Sequence, residues 1–355
     1  KEDDFDATPP SEPQTVLGDL YEIGEHRLLC GDSTDSDQVA KLMNGEKADM
    51  AHNDPPYGMK KESVGVLNDN LNFDDLLQFN HKWISLQFSH LKENGSWYCW
   101  GIDEPLMDIY SNILKPMQKE NKITFRNLIT WNKFHKQKPT MIGMMRSYCV
   151  YDEKCLFVQC GVQGTTLNSD QYFKEYDKVR IYLENEAKKV GLNSVKLKEI
   201  CGVGMYSHWF TKSQFTLIPK EHYKKIQNYF NDGFKKEYEE LRKEYEELRA
   251  YFDNTHETYM TAVWDFETTN GEERESVGGH ATPKPIALCS RAIKSSCPDD
   301  GLVLDVFLGS GSTMVASHQL KRKCYGMELD PKYCDVIVTR MLKLDPSLII
   351  KRNGE

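Results

Sequence analysis

The chain has 355 residues, 39% of them hydrophobic and 28% charged, which suits a globule with a sizeable core and excludes a disordered or fibrous polymer. Its formal net charge of −9 argues against a general nucleic-acid binder. No apolar run reaches membrane-spanning length and no signal-peptide pattern is present, so a cytoplasmic protein with no membrane partner is expected.

Such a length holds one large α/β domain with an insertion, or two domains. Ten cysteines (30, 99, 149, 155, 160, 201, 289, 297, 324 and 334) form no C-x-x-C pair. Most sit in apolar, strand-like runs, so buried free thiols are expected rather than a metal site or disulfides.

Residues 1–16 are acidic, Pro-rich and aperiodic, and read as a tail or linker. The chain opens on Lys1 rather than Met, which leaves room for a missing upstream domain. His26–Cys30 reads as a strand ending at Gly31-Asp32-Ser33, and Asp35–Met43 as a helix.

A short apolar run, Ala48–His52, then ends in Asn53-Asp54-Pro55-Pro56-Tyr57. The two prolines fix φ and push Asp54 and Pro55 towards extended geometry. Neither has an N–H, so the turn's carbonyls and the Asp54 carboxylate form a set of acceptors beside the flat face of Tyr57. Acceptors plus a ring suit an aromatic amine. The bland alternative is a plain Pro-Pro turn after a strand.

Residues 58–72 are polar and read as a mobile loop beside the site. A helix is expected over Asp74–Leu91, a strand at Ser96–Trp100 and a helix over 104–119. Strands follow at 125–133 and 147–159, the second broken near Asp152-Glu153-Lys154 and able to pair antiparallel with the first at one edge. This alternation predicts a doubly wound, mostly parallel sheet.

From Asn121 to Tyr151 there is no Asp or Glu, while Lys133, Lys136, Lys138 and Arg146 lie there. The run reads as a phosphate-facing surface or as a solvated basic strand and loop. Residues 164–260 break the strand–helix rhythm. Helices are expected over Tyr176–Val190, closed by Gly191, and from a Ser194 cap to Ile200.

After the turn Gly202-Val203-Gly204, a short aromatic helix would complete a helix-turn-helix-like module. Its segment Tyr206–Gln214, with Ser207, His208, Lys212 and Gln214, would touch DNA; alternatively the insertion simply packs on the core. The heptad Lys-Glu-Tyr-Glu-Glu-Leu-Arg occurs at 236–242 and 243–249, placing Tyr238, Leu241, Tyr245 and Leu248 on one stripe. A packed connector helix over 235–252 is expected, a homodimer contact being the second reading.

His280-Ala281-Thr282-Pro283-Lys284-Pro285 precedes a helix over Ile286–Ser295. The apolar strand Gly301–Phe307 opens onto Leu308-Gly309-Ser310-Gly311-Ser312-Thr313 and another helix near Met314. A glycine-rich turn at a helix N-terminus lets a ligand approach the backbone closely. This turn matches neither the dinucleotide fingerprint nor a P-loop. The next strand ends at Glu328, where an acid would bind ribose hydroxyls, and Asp305 would repel pyrophosphate while welcoming a sulfonium.

Together these residues resemble an amino-group DNA methyltransferase using S-adenosylmethionine, of the beta order in which the catalytic motif precedes the cofactor motif. Asp54-Pro55-Pro56-Tyr57 resembles the catalytic tetrapeptide, and Asp305 to Ser312 resembles the cofactor turn. The resemblance implies that His280, Thr282, Lys284 and Pro285 line the methionine end of the pocket, that Phe307, Gly309, Ser310, Gly311, Ser312 and Thr313 form the turn, and that Glu328 with Asp330 takes the ribose. Asp32 would lie near the adenine amine. The run into Gly18-Asp19-Leu20 also resembles phage-type members that carry a partition-protein-like upstream domain.

The fold implied is a Rossmann-like, seven-stranded, mostly parallel sheet with a reversed edge strand and an α-helical target-recognition insertion. The domains would be a catalytic half at 17–163, the insertion at 164–260, a cofactor half at 261–345 and a tail at 346–355. The activity implied is methylation of adenine N6 in double-stranded DNA. Asp54 and the Pro55 carbonyl would hold the amine, Pro56 would stiffen the turn and Tyr57 would stack on a flipped-out base. Asp at the head of the turn resembles adenine enzymes, whereas Ser resembles cytosine-N4 enzymes. Cytosine N4, or an inactive DNA-binding protein on the same fold, are the alternatives.

Overall fold

The computed structural model describes residues 9–58, 70–133, 152–163, 176–212, 215–247, 249–256, 260–267 and 284–355. In chain order it begins β1 (Leu20–Ile23), β2 (His26–Cys30), α1 (Ser36–Met43), β3 (Ala48–Asn53), α2 (Phe73–His90) and β4 (Leu91–Gly101). There follow α3 (Asp103–Ile109), a π turn (Tyr110–Leu114), α4 (Lys115–Lys119), β5 (Ile123–Asn132) and β6 (Asp152–Cys160). After a helical stretch come β7 (Val263–Asp265), β8 (Leu302–Asp305), β9 (Lys323–Glu328) and β10 (Ile350–Arg352), with helices Ile286–Ser296, Ser312–Gln319 and Pro331–Leu344 between them.

Local chemistry sets the helix ends. Asp35 caps α1 by accepting from the backbone N–H groups of Asp37 and Gln38, and Asn44 closes that helix at φ +47°. Asn72 caps α2 in the same way through Asp75 N–H. On α1, Val39, Leu42 and Met43 fall on one face and are buried.

The strands form one ten-stranded sheet in the order β10-β1-β2-β9-β8-β3-β4-β6-β5-β7. Its centre, β2 to β4, is parallel throughout. All four residues of β8 are buried, as a strand covered on both faces requires. One face packs the helices around residues 286–296, 312–319 and 331–344, and the other packs α1, α2 and α3.

Three points depart from the expected sheet. Among the described residues it has ten strands rather than seven, because the short β1, β7 and β10 add to its ends. The reversed strand β6 lies inside, antiparallel to both β4 and β5, instead of at an edge. Asp152-Glu153-Lys154 does not break that strand but lies within it, since Lys154 pairs with Gly101 and Thr130; residues 147–151 fall outside the described residues. Residues 346–355, expected as a tail, supply β10, and Thr15 in the expected N-terminal linker is buried, its N–H donating to Asp335.

The chain divides into two compact units, Lys1–Cys160 with Tyr251–Glu355, and Gly161–Ala250. The second contains α5 (Asp177–Lys189), α6 (Ser194–Cys201), α7 (Tyr206–Phe210), α8 (Lys220–Tyr229) and α9 (Tyr238–Glu246). It has its own core, in which Leu183, Leu197, Phe210, Ile226 and Leu241 are buried together. Asn193, not Ser194, caps α6, accepting from Val195 and Lys196 N–H. Tyr238, Leu241 and Tyr245 form the buried stripe of α9, which is shorter than the heptads suggest; Leu248 lies outside the described residues. The remaining helices of the sheet unit are α10 (Ile286–Ser296), α11 (Ser312–Gln319) and α12 (Pro331–Leu344).

Candidate active site

Strands β3 and β8 are parallel neighbours: Met50 pairs with Val303 and Ala51 with Leu304. From β3 the chain crosses to β4 on one side, and from β8 to β9 on the other. This is a topological switch point, where an open α/β sheet leaves a crevice beyond the strand ends. The Asp54 turn leaves β3 and the glycine turn leaves β8, so two segments remote in sequence open into one crevice.

Asn53 anchors the first turn. It is fully buried, its amide donates to Gln87 Oε1 at 2.8 Å and to the Tyr98 carbonyl at 3.1 Å, and Gln87 donates back to Asn53 Oδ1 at 2.6 Å. Asp54 therefore departs from a fixed strand end. The Tyr57 hydroxyl donates to Asp54 Oδ1. Lys284, buried at the start of α10, donates to Asp54 Oδ2 at 2.5 Å and to the Tyr57 oxygen at 3.1 Å. Asp54 and Lys284 are 230 residues apart in sequence.

A second carboxylate joins them. Glu153, buried at the start of β6, meets Lys284 Nζ at 3.1 Å through Oε2 and pairs with Lys133 through Oε1. The two cations hold its carboxyl below the ordinary range despite burial, which acts in the opposite direction and is the largest influence. Burial is also the first cause that pushes the Tyr57 hydroxyl far up, with Asp54 and Glu153 adding to it, so Tyr57 is a neutral donor.

The glycine turn is built as tightly. Gly311 has φ +90°, and a Cβ there would lie 3.1 Å from Ile337 Cγ1. Arg340 of α12 donates to the Ser310 carbonyl at 2.8 Å. Asp305 is buried and accepts from Phe307 N–H at 2.9 Å. Glu328 Oε2 accepts from Gly309 N–H at 2.8 Å and Oε1 from Asp330 N–H at 2.9 Å, and Leu329 N–H adds a third backbone bond to the carboxylate. Burial pushes Asp305 up to about 7 and Glu328 up to about 8.

His52, two residues before Asp54, ties the two turns together. Trp100 Nε1, a donor only, gives its proton to His52 Nε2 at 2.9 Å. The imidazole proton then sits on Nδ1, 3.2 Å from Thr313 Oγ1, and Thr313 in turn donates to Asp305. Burial and Lys284 push His52 down to about 3, so it stays neutral and keeps this direction of donation.

A carboxylate on a rigid turn beside a glycine-rich turn with buried acids suits transfer of a group onto an amine. The family model for DNA methylases of the N6/N4 type matches residues 48–339. The chain belongs to that family.

Over 320 residues the methylase is 22% identical to the type II methyltransferase M.HpaI of Haemophilus parainfluenzae, covering 89% of this chain and 74% of that protein. It is 23% identical over 321 residues to the type II methyltransferase M1.MboII of Moraxella bovis, covering 88% and 95%. The solved PvuII DNA methyltransferase, described as cytosine-N4-specific, superposes with a TM-score of 0.50 at 12% identity, covering 92% of this chain and 93% of that one. At that identity the likeness concerns the fold.

Most of the expected cofactor residues of the methylase gather at the crevice. Ser310, Ser312 and Thr313 are buried along the turn, Pro285 is buried as the N-cap of α10, and the Phe307 ring meets Trp83 edge-on at 4.9 Å. Asp330 caps α12 through Lys332 N–H. Asp32 is exposed beyond β2, accepting from Thr34, and its neighbour Gly31 donates to the Glu328 carbonyl at 3.0 Å. His280 and Thr282 lie outside the described residues.

Lys284, expected along the cofactor, is bonded to Asp54 and Tyr57. Lys133, expected to face DNA, is paired with Glu153 and lies 4.7 Å over the Trp131 ring. Lys136, Lys138, Arg146 and Gln214 fall outside the described residues. In the helical unit Ser207 and Lys212 are exposed, His208 is half-buried, and Tyr206 is half-buried against Phe210 at 5.0 Å. The short aromatic helix expected here is α7, Tyr206–Phe210, with Trp209 and Phe210 buried in the unit's core.

Sequence reasoning missed His52, Gln87, Glu153 and Arg340. Of these only Glu153 left a trace: it shares a strand face with Cys155 and Phe157, where an unpaired acid would be costly.

Proposed function

We propose that this methylase transfers a methyl group to the exocyclic N6 of adenine in a specific sequence of double-stranded DNA, as a type II modification enzyme. The methyl donor is S-adenosylmethionine, which supplies an electrophilic methyl group on a sulfonium. The crevice fits it. Glycines 309 and 311 supply the left-handed φ that the tight turn requires, Glu328 retains acceptor capacity for a ribose hydroxyl, and the buried Asp305 offers a negative charge that a sulfonium prefers. Asp32 borders the adenine end, beside Gly31 and Glu328.

The observation that carries the reading is the Asp54 carboxylate, an acceptor-only group fixed at the end of β3 next to the glycine turn of β8. The amine of adenine is a poor nucleophile because its lone pair is conjugated with the ring. Asp54 and the Pro55 carbonyl hold its two N–H groups, so the nitrogen pyramidalises and presents that lone pair. After transfer the surplus proton passes to Asp54 Oδ. A base in a duplex has to flip out to reach the turn, at a cost of a few kcal/mol. Stacking on Tyr57 returns about 1–3 kcal/mol of it.

Asp rather than Ser at the head of the turn favours adenine over cytosine. The helical unit serves as the target-recognition region, with Ser207, His208 and Lys212 as its DNA-facing side chains. Methylation-sensitive sequencing of DNA from cells expressing the chain tests the whole reading. N6-methyladenine at one recurrent sequence is the expected result, and it should vanish with Asp54→Ala while cofactor affinity stays nearly unchanged. N4-methylcytosine would overturn the base assignment, and unmodified DNA the activity.

A further inference from the structure

The buried charges at the catalytic turn are arranged unevenly. Both Asp54 oxygens are occupied, Oδ1 by the Tyr57 hydroxyl and Oδ2 by the Lys284 ammonium. Yet the proposed reaction needs Asp54 to accept from an incoming amine, so one of these partners has to give way. Lys284 has three N–H donors and uses them on Asp54 Oδ2, the Tyr57 oxygen and Glu153 Oε2. Its side chain is only 5% exposed, so an ammonium released from Asp54 has no water to turn to.

We infer that Glu153 is a positioning residue for methyl transfer, the alternative counter-ion that takes up Lys284 when the target amine displaces it from Asp54. The inference rests on the reading of Asp54 as the group that holds the amine.

Three features of the geometry support it. Glu153 comes from β6, a different strand from the one that carries Asp54, so it stays in place when the turn adjusts. Its other oxygen is tied to Lys133, which fixes the carboxylate and leaves Oε2 directed at Lys284. The Tyr57 hydroxyl lies 3.4 Å from the same Oε2, so Tyr57 also has a second acceptor available if it leaves Asp54. With two carboxylates and two ammonium groups the cluster is neutral, and shifting Lys284 from one carboxylate to the other changes no net charge. No proton needs to move in this exchange.

Without the Glu153 charge, Asp54 is the one carboxylate left paired with Lys284 among the described residues, and the amine has to break that pair outright. Glu153→Gln, nearly isosteric, should therefore lower kcat by roughly tenfold to a hundredfold, the loss of one hydrogen bond to a charged group. Affinity for S-adenosylmethionine measured without DNA should stay within about twofold of the native protein, because Glu153 is not among the residues that hold the cofactor turn. Glu153→Asp keeps the charge one methylene further back, and its kcat should fall between the two.

Methyl transfer to the sequence found by methylome analysis gives kcat, and calorimetry gives cofactor affinity. Native-like kcat in Glu153→Gln overturns the inference, and so does a loss of cofactor binding in parallel with activity, which marks a merely structural role. Should Glu153→Gln not fold, Glu153→Asp decides alone: reduced kcat with intact cofactor affinity supports the inference, and unchanged kcat overturns it. Failure of the underlying reading looks different, since native protein would then leave DNA unmethylated or Asp54→Ala would remain active.

Discussion

Tyr57 carries two groups with separable duties. Its hydroxyl holds Asp54 Oδ1, and in the proposed function its ring is the face on which the base stacks. Tyr57→Phe removes the first and keeps the second, whereas Tyr57→Ala removes both. Stacking worth about 1–3 kcal/mol corresponds to roughly 5- to 150-fold in kcat/KM for DNA, so the alanine variant should fall below the phenylalanine variant by a factor in that range. Steady-state methyl transfer with both variants measures it, and equal losses would show that the ring contributes nothing. Cofactor affinity should change little in either. Asp54 and Tyr57 were legible in the chain because the Pro-Pro turn binds them into one local unit. The roles of Glu153 and His52 were not, because they exist only through Lys284 and Thr313, residues remote in the chain that the fold brings to the same face of the sheet.

At the level of elements, the glycine turn that the proposed function assigns to the cofactor rests on an unusual backbone conformation. Gly311 at φ +90° is both in the left-handed region and tight against Ile337 of α12. Gly45 has a similar φ of +81° with open space around it. Alanine at either position carries the left-handed penalty of about 1–2 kcal/mol, a fall of roughly 2–8 °C in Tm. Only Gly311→Ala also pushes on α12, so it should be the more destabilising and should alone weaken cofactor binding. Thermal denaturation with and without cofactor separates the two, and matching behaviour would count against the tight turn. Periodicity and caps such as Asp35 made the long helices and core strands readable. The strands β1, β7 and β10 hold only three or four residues each, too few to display an alternation, and they are defined by the neighbours they pair with.

At the scale of the whole molecule, the crevice links stability to pH. Asp305 and Glu328 are raised to about 7 and about 8, above their ordinary 3.8 and 4.5, with burial as the first cause. The folded protein thus keeps protons that the unfolded chain has lost. The stability they contribute is complete in acid and is lost as pH rises through the folded values. His26 and His52 act in the opposite sense. Burial lowers them to about 4 and about 3, so stability grows with pH until the unfolded imidazoles are themselves neutral near 6.5. Between about pH 6.5 and 8 the two carboxylates remain as the opposing pair, and the free protein should lose on the order of 2 kcal/mol across that interval. A sulfonium in the crevice favours the ionised carboxylates, so cofactor should bind more tightly at pH 8 than at 6.5 and release protons as it does. Denaturant unfolding across this range, with calorimetry in buffers of differing ionisation enthalpy, tests both halves. A flat stability profile together with buffer-independent heats would show that Asp305 and Glu328 are already ionised in the free protein, and would remove the charge match on which the donor's selection rests.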